Sequence, residues 1–225
     1  MPGFSRRAFL TLGGAGLLAA CDTGYDDFQF GAIKRYYDVY FARDEGLPIT
    51  REQIEKQPYA MIHLRTPGNA GAVLVLARVW GRELHWISAD RNIVATLDGR
   101  LVRTVGLPEN IRETRSLGVD PVASGLHRIT AGTKAKRIMD FDDEQRYGRI
   151  VTSRYTPIER QKVTIADLTY DLLLVVERNR IAADDWEFEN RFWVDPNNGF
   201  VWKSLQHVSP RFDPFEIAVL KPAAI

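Results

Sequence analysis

Apolar and polar residues alternate over most of this chain, and a period of two is typical of β-strands. The clearest hairpin joins 93–97 to 100–105 through Asp98-Gly99, a pair that readily adopts the positive φ angles of a type I′ turn. Segments rich in β-branched and aromatic residues predict the other strands. They are 59–64, 72–80, 83–88, 128–139, 149–156, 171–178, 187–194, 200–207 and 216–220.

Helical patterns are confined to the region before these strands. Residues 30–43 place apolar side chains at helical intervals, and Thr50 with Gln53 forms a capping-box pattern that opens a short helix ending before Pro58. Many strands joined by short turns must hide their edges. The sequence therefore predicts a mainly β fold with one or two short N-terminal helices, whose curved antiparallel sheet is a half-barrel or sandwich-like.

The first twenty residues are typical of an export signal. Arg6 and Arg7 precede an apolar run of about a dozen residues, which is too short to span a bilayer as a helix. The paired arginines favour the twin-arginine route, with an ordinary Sec signal as the alternative. We predict a signal peptide at 1–20, a lipidated tether at 21–29 and a single β-rich periplasmic domain at 30–225.

Cys21 ends a Leu-Ala-Ala-Cys sequence typical of a bacterial lipobox, and it is the only cysteine of the chain. A lone thiol cannot form an internal disulfide, so a thioether to lipid explains its position. A buried structural cysteine is the alternative. Asp22 resembles an inner-membrane retention signal, which leaves the choice of membrane open. We expect the covalent lipid on Cys21 to be the sole cofactor.

Charge and composition argue against several functions. The formal charge is +1, and removal of residues 1–20 takes away two arginines and no acidic residue, which leaves −1. Such a balanced chain lacks the basic surface that nucleic acid requires. No nucleophile elbow, phosphate loop or paired zinc-binding histidine motif occurs. We therefore expect neither an enzyme nor a metal site.

Two groups of residues are candidate glycan or partner contacts. Arg103 and Lys203 lie between apolar neighbours in predicted hairpin strands, where Leu101 and Val105 should share a face with Arg103. Such a cation must snorkel, form an ion pair or face a groove, and an ion pair is the default. Aromatic rings that stack on sugars are the second group, although core packing is the usual role of strand tryptophans. They are Trp86, Trp186 and Trp202.

Two long motifs carry a family resemblance. Residues 86–90 with 99–107, and residues 188–195 with 199–206, resemble the YjbF-type lipoproteins of group 4 capsule and exopolysaccharide operons. The resemblance runs from about residue 36 to 222 and includes the lipobox. It implies a largely β, non-enzymatic lipoprotein, generally of the outer membrane. It also implies action in polysaccharide export or assembly beside an outer-membrane barrel and periplasmic export proteins.

Other functions remain open at this point. A curved sheet with a large apolar concavity would suit a periplasmic carrier of lipids or lipoproteins. The acidic runs at 140–144 and 184–189 contain the carboxylate pairs that glycoside hydrolysis needs, although their position at turns favours a solvated surface. An enzyme exported in its folded state with a cofactor is a third alternative.

Overall fold

The structure, a computed structural model, describes residues 47, 49–68, 70–142 and 146–224. The predicted helix at 30–43, the signal peptide and Cys21 lie outside these residues. One short helix, α1 (Arg51–Lys56), precedes twelve strands in the described part of the chain. The strands are β1 (Met61–Arg65), β2 (Ala72–Trp80), β3 (Glu83–Ile87), β4 (Ile93–Leu97), β5 (Arg100–Val105), β6 (Ile111–Ser116), β7 (Lys134–Phe141), β8 (Arg149–Ile165), β9 (Leu168–Ile181), β10 (Trp186–Val194), β11 (Val201–Gln206) and β12 (Phe215–Lys221).

All twelve strands form one antiparallel sheet in the order β5-β4-β3-β2-β1-β12-β11-β10-β9-β8-β7-β6. The edge strands β5 and β6 follow each other in the chain and contact each other, so the sheet curls into a nearly closed barrel. A side chain helps to close the seam, since the Ile111 N–H donates to Thr104 Oγ1 at 3.0 Å. The prediction of a mainly β, curved antiparallel sheet is confirmed.

The barrel interior holds most of the core. One cluster includes Leu74, Trp86, Val94, Phe141 and Ile217, which come from strands on opposite sides of the barrel. A second cluster groups side chains of β8, β9, β10 and β11 with two residues of the long 117–133 connection. Because inward and outward side chains alternate along each strand, the same strands can bury one face inside and expose the other.

A third cluster covers part of the outer face. It joins Ile54 of α1 to Met61, Ala218 and Leu220 of the sheet and to Ile165 at the tip of the β8–β9 hairpin. This hairpin is long, and its end folds back against the outer surface instead of continuing the barrel wall. The Arg51 guanidinium ties these parts together by donating to the carbonyls of Ile165, Ala166 and Leu220.

The capping box is confirmed. The Gln53 N–H donates to Thr50 Oγ1 at 3.3 Å, and the Thr50 N–H donates to Gln53 Oε1 at 2.8 Å. These bonds satisfy backbone donors that the first turn leaves free. The helix ends at Lys56, and its C-cap Gln57 is extended because the following Pro58 disfavours helical geometry in the preceding residue.

Most strand predictions are confirmed, and three need correction. The 93–97, 100–105 and 72–80 strands match the structure end to end, and Asp98 and Gly99 have φ angles of 53° and 91°. A whole strand, β6, was missed, and β8 continues well past residue 156. The predicted 128–139 strand begins only at Lys134, after a 3₁₀ turn at Leu126–Arg128 and a further turn before the strand.

Candidate functional site

A cavity of about 570 Å³ opens at one end of the barrel. The antiparallel order places the β2–β3, β4–β5 and β10–β11 turns at this end, together with the end of β12. Strand residues form the floor and walls, and turn residues form the mouth. The lining consists of Ile62, Arg82, Leu84, Trp86, Thr96, Asp98, Gly99, Val122, Ala123, Gly125, Asn198, Gly199, Phe200, Val201, Trp202, Ser204, Ile217, Val219, Pro222 and Ala223.

The floor combines apolar walls with hydroxyl groups. Trp86 is 3% exposed, and its indole Nε1–H donates to Thr96 Oγ1 at 2.9 Å. Ser204 Oγ accepts from the Gln206 amide at 2.9 Å, while the same amide donates to the Gly99 carbonyl at 2.8 Å. These bonds fix the walls of the cavity and hold the β4–β5 turn against β11.

An ion pair lies at the mouth. The Arg82 guanidinium donates to Asp98 Oδ1 at 2.6 Å, with side-chain exposures of 63% and 19%. The other carboxylate oxygen, Oδ2, is buried and has no hydrogen-bond partner among the described residues. Burial raises the pKa of Asp98 above its ordinary value, and Arg82 opposes that shift only in part. The mouth therefore holds an acceptor with spare capacity.

Aromatic rings form another side of the mouth. The Phe200 ring is 38% exposed and makes an edge contact with Trp202, with their centroids 4.9 Å apart. Trp202 in turn stacks on Tyr170 of the folded-back hairpin, at 4.3 Å and 27°. The hairpin thus supports the ring of Trp202, and Phe200 and Trp202 form an aromatic surface at the cavity mouth.

A buried charged network lies next to the cavity, directly after the Asp98-Gly99 turn. Arg100 meets Glu177 through two hydrogen bonds, at 2.9 and 3.2 Å. Arg137 donates to the same carboxylate at 2.9 Å, and the Tyr155 hydroxyl donates to it at 2.5 Å. Asp120 accepts from Arg100 at 3.3 Å, which balances the second positive charge.

The network is closed on itself. Glu177 is fully buried, which disfavours its ionisation, but Arg100 and Arg137 outweigh that effect and hold its pKa well below the usual range. Asn190 and Asn179 donate to its second oxygen at 2.8 and 3.3 Å. With its acceptors filled in this way, the carboxylate joins β5, β7, β8, β9 and β10 from inside the barrel. We assign the network a structural role.

The cavity brings together two of the five candidate contact residues, Trp86 and Trp202. Trp186 begins β10 at the opposite end of the barrel, where it stacks on Phe188 at 4.1 Å. Lys203 lies on the outer face, where it forms the expected ion pair with Glu216 at 2.9 Å and lies 5.3 Å from the centroid of the Trp193 ring.

Arg103 is half-buried on the outer side of β5, opposite Ala95. The prediction that it shares a face with Leu101 and Val105 is wrong for Leu101. A bulge in the β4–β5 pair places Leu101 opposite Thr96, so Leu101 packs into the core while Val105 is exposed. An inserted residue shifts the inward–outward alternation, which a strict period of two cannot anticipate.

None of the histidines lines the cavity, although His127 packs against its lining residues Gly125 and Gly199. Two histidines have local partners: a His63 ring nitrogen lies 2.7 Å from the Ala70 carbonyl, and His85 lies 3.0 Å from Glu83. In the acidic runs, Asp140 accepts from Arg115 and Asp184 from Arg149. Residues 143–144 of the first run are outside the described residues. Within the described part of the chain, no group of three or more His, Cys, Asp or Glu residues is arranged to hold a metal ion.

The residues that the sequence did not single out are Asp98, Phe200, Arg100 and Glu177. Asp98 was assigned to a turn and Phe200 to the start of the 200–207 strand, and neither position by itself indicates a cavity mouth. Glu177 follows the apolar run 172–176, and this single carboxylate in a buried strand was the available signal. None of the described helices is long and apolar enough to cross a membrane.

Comparison with known proteins assigns the family. Residues 35–220 match the family described as group 4 capsule polysaccharide lipoprotein gfcB, YjbF. The chain therefore belongs to this family of capsule polysaccharide lipoproteins, which is not described as an enzyme family. Lipoproteins are held on membranes by their lipid, so membership implies a membrane-anchored place in the cell envelope.

Individual relatives agree with this assignment. The chain is 25% identical to the uncharacterized lipoprotein GfcB of Escherichia coli strain K12 over 80% of this chain and 84% of that protein. It is also 25% identical to the uncharacterized lipoprotein YjbF of the same strain, over 79% and 82% of the two chains. The crystal structure of the hypothetical lipoprotein YmcC from Escherichia coli K12 has the same fold, with a TM-score of 0.69 and 24% identity, over 91% of this chain and 100% of that one.

Proposed function

We propose that this protein is a lipid-anchored, non-enzymatic accessory of capsule or exopolysaccharide export or assembly. The observation that carries the proposal is the family match, which spans nearly all of the described barrel. The structural role of the buried charged network agrees with the non-enzymatic part of the proposal, because its carboxylate and guanidinium groups are engaged with one another inside the barrel.

The anchor in this proposal is a thioether between lipid and Cys21, which becomes the first residue of the mature chain once the export signal at 1–20, with Arg6 and Arg7, is removed. Two or more acyl chains at about 0.8 kcal/mol per buried methylene give stable attachment. The family resemblance favours the outer membrane, while Asp22 keeps the inner membrane as an outcome that fractionation would reveal. In both cases the barrel faces the periplasm.

The proposed partners are an outer-membrane barrel and periplasmic polysaccharide-export proteins, and the polymer itself. Nucleic acid is not among them, because the chain is nearly neutral overall. Cross-linking in living cells, followed by identification of the attached proteins, would test these partners directly.

Deletion of the gene tests the proposal as a whole. We expect surface polysaccharide to fall and a plasmid copy of the wild-type gene to restore it. Unchanged polymer output in the deletion strain would contradict the accessory role.

A carrier of lipids or lipoproteins is the second candidate, and the partly apolar walls of the cavity favour it. This function predicts that the native protein, purified with mild detergent, carries lipid beyond its own anchor. Solvent extraction and mass spectrometry would detect that lipid. An extract containing only the anchor would exclude a stably loaded carrier.

A further inference from the structure

We propose that the cavity at the end of the barrel is a binding site for a short, neutral, hydroxyl-rich segment of a saccharide. The inference rests on the proposed function for the identity of the polymer. It adds the site itself, the residues that form it and the charge class of the ligand.

The size of the cavity suits such a ligand. Its volume of about 570 Å³ lies within the range of roughly 300–1,000 Å³ that is usual for small-molecule sites. Its mouth is formed by exposed residues of three separate turns or ends, namely Arg82, Phe200 and Pro222. A segment of a longer chain can therefore enter while the rest of the polymer stays outside.

Asp98 provides the strongest polar signal. Its Oδ2 is buried at the cavity and accepts no hydrogen bond from the described residues, although its Oδ1 is paired with Arg82. A buried acceptor without a donor is costly, and a hydroxyl group of a ligand would satisfy it. Saccharides carry neighbouring hydroxyls that match this requirement.

The aromatic part of the mouth supplies the complementary contact. A sugar ring presents C–H groups on its faces, and these pack on aromatic rings. Phe200 exposes part of its ring, and Trp202 lines the same cavity with its position fixed by Tyr170. Carboxylate and aromatic groups thus lie at a single opening, which is the combination expected for a ligand with polar edges and apolar faces.

The charge of the lining selects a neutral ligand. Arg82 and Asp98 are the only charged side chains among the described residues that line the cavity, and they neutralise each other. An acidic sugar would compete with Asp98 for Arg82 and bring its own charge close to the free carboxylate oxygen. The hydroxyls of Thr96 and Ser204 on the floor also favour a polar ligand over an acyl chain.

Binding to the purified barrel tests the site. The probes are oligosaccharides of two to six residues, prepared by partial acid hydrolysis of the source bacterium's own surface polymer and separated into neutral and acidic fractions. Calorimetric titration measures affinity. We expect the neutral fraction to bind. Asp98→Asn should weaken its binding about tenfold or more, because the ligand loses a hydrogen bond to a charged acceptor. Asn-Gly also suits a type I′ turn, so this variant keeps the local fold.

Three pairs of variants separate binding from folding. Asp98→Asn is paired with Asp171→Asn, which changes an exposed carboxylate on β9 that does not line the cavity and should leave binding intact. Phe200→Ala should weaken binding, whereas Tyr147→Ala, at the opposite end of the barrel, should not. Ala223→Trp should fill the mouth and abolish binding, and Ala224→Trp, its exposed neighbour, should leave binding intact.

The outcomes distinguish failure of the binding site from failure of the proposed accessory role. The site is overturned if no fraction binds, if only the acidic fraction binds, or if Asp98→Asn and Ala223→Trp bind as tightly as the wild type. In cells, the deletion strain should make less polymer. If a gene copy with Ala223→Trp fully restored polymer output, the binding site would be contradicted, whereas the accessory role would stand. A deletion without effect on polymer, together with intact binding in vitro, would remove the accessory role and keep the site.

Discussion

The substitution Glu177→Gln removes the carboxylate that holds two buried guanidinium groups inside the barrel. Arg100 keeps Asp120 as a partner at 3.3 Å. Arg137 loses its only carboxylate partner among the described residues and keeps Ser153 and Asn179, which are neutral. The variant therefore leaves a buried positive charge uncompensated.

The cost follows from this geometry. Removal of one partner from a buried ion pair typically destabilises a protein by about 3–5 kcal/mol, because the remaining charge has no water around it. Total stabilities are about 5–15 kcal/mol, so a large fraction would be lost. At roughly 2–4 °C per kcal/mol for a chain of this size, the melting temperature should fall by about 6–20 °C.

Urea and thermal unfolding, followed by circular dichroism, measure the change. Glu187→Gln is the matched control on the neighbouring strand β10, because Glu187 and its partner Arg180 are both exposed. That substitution should cost roughly 0–1 kcal/mol. Adding Arg137→Met to Glu177→Gln should recover part of the loss, since the leftover charge is then removed. A loss for Glu177→Gln no larger than that of the control would refute the reasoning.

Three further predictions concern the stability of the barrel in acid, the Asp98-Gly99 turn and the N-cap of α1. Because the pKa values of Glu177 and Glu216 are lowered in the folded state, the stability they contribute is complete above their ordinary value of 4.5 and is lost as the pH falls below it, which acid titration of the unfolding free energy would show. Gly99→Ala should destabilise the barrel in urea melts by about 1–3 kcal/mol, since its φ is 91° and an added Cβ would lie 2.5 Å from Val201 Cβ. Gly81→Ala, with open space around it, should cost less. Thr50→Ala should destabilise the first turn of α1 by about 1 kcal/mol, because the Gln53 N–H loses its side-chain acceptor. The amide of Gln53 should then exchange its hydrogen faster, and unchanged exchange there would count against the capping bond.

The sequence predicted those strands whose local chemistry is unambiguous. The β4–β5 hairpin was correct because Asp98-Gly99 specifies the turn, and β2 was correct because its apolar run is bounded by Gly71 and Gly81. The strand β6 was missed because its sequence IRETRS has a single buried residue, Ile111. Its place is set by pairing with β7, which is a tertiary effect.

The extension of β8 was missed for a different reason. The predicted strand ended at residue 156, directly before Pro157, which cannot donate a ladder hydrogen bond. In the structure the pairing of β8 with β9 shifts register between Pro157 and Arg160, which accommodates the missing donor, and the strand continues to Ile165. The long hairpin that results covers the outer face and supports Trp202 through Tyr170.

The candidate site was predictable only in part. Trp86 and Trp202 were identified by residue type, and both line the cavity. Asp98 was recognised as a turn residue, but its free oxygen becomes visible only when β4, β11 and the 117–133 connection meet at one end of the barrel. The same holds for Arg100 and Glu177, which come from strands far apart in sequence. Spacing along a chain gives no information about such contacts.

The central claim is that a lipid-anchored barrel serves surface polysaccharide export. The most direct measurement is the amount of surface polysaccharide made by a strain whose only copy of the gene carries Cys21→Ser, with residues 1–20 replaced by an export signal that is cleaved without lipidation. The account predicts that the barrel leaves the membrane fraction and that polymer output falls to the level of the deletion strain. Wild-type polymer output from a variant that has left the membrane, or a variant that still fractionates with the membrane, would contradict it.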